Sequence, residues 1–148
     1  MLASLLRRLA GRLEADGPLP EDDVRTAIAA LLVIAAHADG IYAEAERAQI
    51  EAVLAARYGL DAAGAAALRA EGEAAETEAA DLFRFTNLIK QSVPLEERTA
   101  VIEALWRVVL ADREREAHED ALLRRLTDLL GLDPRDSVLA RQRVERGA

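Results

Sequence analysis

Apolar residues along this chain recur at spacings of three and four, and no stretch alternates apolar with polar positions in the manner of a strand. Leu2, Leu5, Leu6, Leu9 and Leu13 form one stripe, with Arg7, Arg8 and Arg12 facing elsewhere, and the turn Gly17-Pro18-Leu19-Pro20 closes it. A second helix is predicted from near Glu21, where Glu21-Asp22-Asp23 suits a helix N-terminus, to about Ala38. A third runs from about Ala43 to Arg57 and stops before Gly59. Asp61 is then the N-cap of a fourth, alanine-rich helix through about Glu73. Leu82, Phe85, Thr86 and Ile89 mark a fifth, which ends before Pro94. Val101, Ile102, Leu105, Trp106, Val108 and Val109 are apolar around much of a helix circumference, so the sixth helix is expected to be the most buried, with Trp106 in the core. The seventh carries Leu122, Leu123, Leu126, Leu129 and Leu130 and stops at Gly131; a short eighth begins near Pro134. The fold class is all-α, a compact bundle of about seven or eight helices, with residues 1–20 as an N-terminal helix and turn and 21–148 as the helical domain.

The pattern also repeats. Sliding the chain by 73 positions lays Ile28, Leu32, Val33, Ala35 and Ala36 on Val101, Leu105, Trp106, Val108 and Val109, and Ile50 and Val53 on Leu123 and Leu126. The same shift lays Ala38-Asp39 on Ala111-Asp112 and Glu46 on Glu119. Two duplicated helical hairpins, each with a pair of carboxylates at its tip, are the expected consequence.

Composition narrows the function. At 148 residues the chain is one ordinary domain, able to bury roughly 70 % of its unfolded surface. It has no cysteine, which removes disulfides and thiolate metal sites and suits a reducing compartment. The longest apolar run, Ala27 to Ala36, is about half the length of a membrane span, and residues 1–13 lack the apolar core and cleavage site of a secretory signal. A cytoplasmic protein is expected. The net charge of −8 divides into −5 for residues 1–74 and −3 for 75–148 and so is no acidic tail. Such a surface repels nucleic acid, and no basic, aromatic-interleaved cluster offsets it.

The hairpin carboxylates carry the candidate chemistry. Asp39 falls where the second helix ends, and Gly40 is free to take the left-handed conformation that closes it. Glu46 falls in the first turn of the third helix, where the helix dipole favours a carboxylate by about 0.3–1 kcal/mol without any ligand. The same dipole disfavours Asp39 and Asp112, which need backbone N–H groups or a cation. Two carboxylates about 5 Å apart repel by roughly 3 kcal/mol at an effective dielectric of about 20, so a four-carboxylate cluster would recruit a cation, raise its pKa values or stay apart. Oxygen donors without thiolates suit calcium, magnesium or manganese, and the candidate ligands are Asp39, Glu46, Asp112 and Glu119. His37 and His118 lie beside the acidic segments but are not repeat-equivalent, and each reads more simply as a local hydrogen-bonding partner.

No Glu-x-x-His pair, HExxH motif, glycine-rich phosphate loop or nucleophile elbow is present, and no enzymatic activity is expected. The segments Ala38-Asp39-Gly40 with Glu46, and Leu105-Trp106-Arg107 leading through Ala111-Asp112 and Glu119 to Leu122-Leu123-Arg124-Arg125-Leu126 and Leu129-Leu130, resemble the TerB-like tellurite-resistance proteins. Arg84-Phe85-Thr86 and Glu97-Arg98 are similar to a bacterial branch of that family. The resemblance covers about Glu21 to Arg143. It implies a compact helical domain, acidic residues that bind a divalent cation, a link to tellurite and stress resistance, and protein partners that are sometimes near membranes. Arg113 departs from the family's Ala-Asp-Gly, so the second loop is expected to differ from the first. The alternative reading is a metal-free helical domain for protein–protein interaction.

Overall fold

The computed structural model describes residues 21–37, 42, 44–78, 82–111 and 117–147, and of 21, 22 and 117–119 the backbone alone. The described residues form seven helices: α1 Glu21–Ala36, α2 Glu44–Tyr58, α3 Ala62–Glu78, α4 Leu82–Ser92, α5 Leu95–Leu110, α6 Ala117–Leu129 and α7 Pro134–Glu145. The all-α expectation holds. The expected N-terminal helix within residues 1–20 lies outside the described residues, as do Asp39, Gly40, Asp112 and Arg113.

Local chemistry sets the helix ends. The Asp61 carboxylate accepts the Gly64 amide at 2.7 Å, the N-cap bond that opens α3. Asp133 and Asp136 form a reciprocal capping box around Pro134, which opens α7. Helices α2 and α6 both close on a left-handed glycine, Gly59 at φ 62° and Gly131 at φ 74°. In each case the amide two residues beyond the last turn reaches back, Leu60 to Ala55 at 3.1 Å and Leu132 to Thr127 at 3.0 Å. Arg98 of α5 fastens two more helix ends. Its guanidinium donates to the carbonyls of Val93 at 2.9 Å, Leu130 at 2.9 Å and Lys90 at 3.4 Å, placing a cation where α4 and α6 expose their negative ends.

The repeated apolar pattern is matched in burial. All seven apolar pairs at the 73-residue offset, from Ile28 and Val101 to Val53 and Leu126, are buried in both copies. The structure extends the repeat to a third helix. Gly59-Leu60-Asp61 and Gly131-Leu132-Asp133 are the same three residues at the same helix junction, now 72 apart because the closing glycine comes one residue sooner in the second unit. At that offset α3 matches α7, and Ala65 and Leu68 match Ser137 and Ala140, all buried. Each unit packs its first helix most extensively on its third, α1 on α3 and α5 on α7. Helix α4 joins the units.

One expectation is corrected. The most enclosed helix is α1, not α5: it packs against α2, α3, α4, α5 and α6. From Ala27 to Ala36 every residue is buried except Ile34, which is partly so. Its alanines let neighbours approach from several sides, whereas α5 keeps Glu96, Glu97 and Ala100 in solvent. The closest approach is at Gly72 of α3, where an added Cβ would lie 2.7 Å from the Ala29 carbonyl carbon and 2.8 Å from its Cβ. Trp106 is buried as expected, and its indole N–H donates to Ser137 of α7 at 3.0 Å.

Replacing Gly72 by Ala should therefore destabilise the fold, against the ordinary gain of up to about 1 kcal/mol for Gly→Ala in a helix. Overpacking costs about 1–3 kcal/mol, so a urea melt should show a net loss of roughly 1–2 kcal/mol. A stabilised Gly72→Ala protein would mean that the two backbones are not in contact. Truncating the buried Leu105 to Ala should cost about 2–5 kcal/mol in the same assay.

Candidate functional site

The candidate site is the tip of the first hairpin, between α1 and α2. Of the four carboxylates singled out in the sequence, Glu46 alone has a described side chain; Asp39 and Asp112 lie outside the described residues, as does the side chain of Glu119. Glu46 stands in the first turn of α2 as expected, yet it is 1 % exposed, far more enclosed than a dipole-stabilised surface carboxylate needs to be. It is engaged in an interaction there. A carboxylate in such surroundings demands compensation by a charge or by several donors, because uncompensated burial costs several kcal/mol.

The residues flanking the loop are clasped together. His37 follows α1 and Tyr42 precedes α2, and their rings meet edge to face with centroids 4.5 Å apart. The other contacts of this pair hold it against the bundle: His37 Nδ1 lies 3.8 Å from Glu76 of α3, and the Arg47 guanidinium sits 4.9 Å from the Tyr42 ring centroid. His37 thus behaves as a local partner, in line with the simpler reading of the sequence. His118 has no described side chain.

Beneath the clasp lies a network that sequence reasoning missed. Arg69 of α3 donates through Nε to Glu51 of α2 at 2.6 Å and through Nη1 to Glu73, one turn along its own helix, at 2.8 Å. The Tyr42 phenol lies near the same Glu73 and Arg69, whose charges act on it. Desolvation pulls the Arg69 pKa down, but Glu51, Glu73 and Tyr42 outweigh it and hold the guanidinium above its ordinary value. Burial first, then the hydrogen bond and charge of Glu73, push Tyr42 up to about 12. A phenol so far from neutrality is a poor proton donor or acceptor for catalysis, and the network acts as an anchor for the loop. Its i,i+4 half, Arg69 with Glu73, was legible in the sequence. The Glu51 link was not, because it depends on how α2 crosses α3.

Among the described residues no group of three or more histidine or acidic side chains is gathered closely enough to hold a metal ion. A family model described as tellurite resistance protein TerB matches residues 25–142, which takes in most of the chain and both helical units. No curated protein and no solved structure matches it.

The Tyr42 anchor has an alkaline signature. Its folded pKa of about 12 exceeds the unfolded value of 10.0, so the folded state holds the proton longer. Stability should be level below pH 10 and fall as pH rises from 10 toward 12, where the unfolded chain has lost that proton and the folded one has not. Ultraviolet absorbance of the phenolate, followed in wild type and Tyr42→Phe, checks this. The variant should lack the late step and show a weaker alkaline loss of stability.

Proposed function

Because the chain belongs to the TerB family of tellurite-resistance proteins, we propose that it is a non-enzymatic helical module of a bacterial tellurite- or stress-response system, taking a divalent cation at the acidic tip of its first hairpin. The observation that supports this most is Glu46, a carboxylate 1 % exposed at the mouth of a loop whose sequence also supplies Asp39 and Gly40. An all-oxygen donor set of two carboxylates and turn carbonyls suits calcium, magnesium or manganese. The cation would act as a structural ligand, drawing α1 and α2 together at the tip and fixing the surface offered to a protein partner. A cytoplasmic location and a protein partner are parts of the same reading. No described helix is long and apolar enough to cross a membrane.

The second loop contributes less in this reading. Gly40 permits a left-handed turn after Asp39, whereas Arg113 enters that conformation only at a cost of about 1 kcal/mol and supplies a positive charge beside Asp112.

Dialysed protein titrated with calcium, magnesium and manganese tests the proposal by calorimetry and thermal melting. At a cation concentration about 100-fold above Kd the melting temperature should rise by about 5–10 °C. Asp39→Asn and Glu46→Gln should abolish the rise, and Asp112→Asn should reduce it less. The absence of both heat and shift for all three cations would leave the metal-free interaction module as the better reading. An undiminished shift in Glu46→Gln would remove Glu46 from the ligand set.

A further inference from the structure

The apolar stripes of all seven helices supply the core, from Val24 of α1 to Ala140 of α7. One further amphipathic pattern of the sequence lies outside the described residues. Leu2, Leu5, Leu6, Leu9 and Leu13 stand at helical spacing, and on a helix they fall within an arc of about 100°. Arg8 and Arg12 border that arc on one flank and Arg7 lies behind it. Charge sets this segment apart from everything after it. Residues 1–13 carry three arginines and no carboxylate, a formal +3, which leaves −11 for residues 14–148 out of the net −8.

We propose that residues 1–13 bind an anionic lipid surface as an interfacial helix and hold the acidic bundle beside it. The leucine arc enters the boundary between headgroups and acyl chains, and the guanidinium groups meet the lipid phosphates. The bundle itself offers such a face little purchase. Among the described residues the exposed large apolar side chains are Phe83, Leu95, Val138 and Leu139. Phe83 and Leu95 stand in the first turns of α4 and α5, and the other two are neighbours on α7. A helix of residues 2–13 presents its five leucines along about 18 Å. A groove on a protein partner is also a poorer match, because the face is leucine alone and lacks the aromatic anchors that dominate protein interfaces.

The negative bundle is repelled by the same lipids, so distance decides whether the segment wins. Residues 14–20, with Gly17-Pro18-Leu19-Pro20 among them, span up to about 23 Å when extended. That is more than twice the Debye length of about 8–10 Å, so the repulsion is screened while the arginines sit at the surface. The inference is independent of cation binding at the first hairpin.

The test is co-sedimentation of the full chain, untagged at its amino end and in EDTA, with phosphatidylcholine–phosphatidylglycerol vesicles and with phosphatidylcholine vesicles alone. The chain should bind the anionic vesicles and gain helical circular dichroism on doing so. Affinity should fall about tenfold or more on the neutral vesicles and in Arg7→Glu/Arg8→Glu. Leu6→Ser/Leu9→Ser should abolish binding and leave the melting temperature unchanged. No binding to anionic vesicles, equal binding to both vesicle types, or binding that survives Leu6→Ser/Leu9→Ser would overturn the proposal. So would a lowered melting temperature in Leu6→Ser/Leu9→Ser, which would put the leucine face on the bundle. A dimer in sedimentation that the same variant converts to monomer would put that face on a second copy, and would overturn it equally.

Discussion

The close approach of α1 and α3 at Ala29 and Gly72 is the constraint on which the rest of the architecture depends. Two helix backbones can meet there only because one position has no side chain and its neighbour has a methyl group. Once they meet, the alanines of α1 become core residues: Ala27, Ala29, Ala30, Ala35 and Ala36 are buried although none is large. Burying a methyl group contributes far less than burying a leucine, about 0.8 kcal/mol per carbon. The stabilisation of α1 therefore rests on how many neighbours it touches and not on the size of its side chains. Packing on five other helices supplies that number.

The second unit solves the same problem with volume. Where α1 has Ala29, Val33, Ala35 and Ala36, α5 has Ile102, Trp106, Val108 and Val109, and Val144 of α7 stands where α3 has Gly72. Larger side chains line the α5 face, and Trp106 reaches α7 to donate its indole N–H to Ser137. The buried indole N–H thus has its partner, without which it would cost about 1–3 kcal/mol. The two units share a buried register, with side-chain bulk in the second where the first has close backbone contact.

What the sequence made legible follows from range. Asp61, Gly59, Gly131 and Pro134 marked helix ends correctly because caps and left-handed glycines act within a few residues. Helix α3 ran beyond Glu73 to Glu78 because its last turn is polar and carries no apolar stripe to read. The enclosure of α1 and the reach of Glu51 to Arg69 depend on crossing geometry, which periodicity does not encode. The third helix of the repeat stayed hidden for a simpler reason: the register slips by one residue between Leu126 and Gly131, so a single fixed offset loses the match between α3 and α7. At the candidate site, the place of Glu46 in a first helical turn was readable, while its near-complete burial came from the packing of α2 on the rest of the bundle.

Charge shows the same divergence at the two hairpins. In the first unit Arg69 is answered by Glu51 and Glu73, and His37 lies beside Glu76. Partial burial and the neighbouring Glu73 push the Tyr42 phenol up to about 12. The repeat equivalents of Tyr42 and Glu51 are Arg115 and Arg124, so the second unit cannot build this network from its own residues. The carboxylate-to-arginine exchange between positions 51 and 124 removes the cross-helix ion pair from the second unit, a small change in free energy at an exposed position.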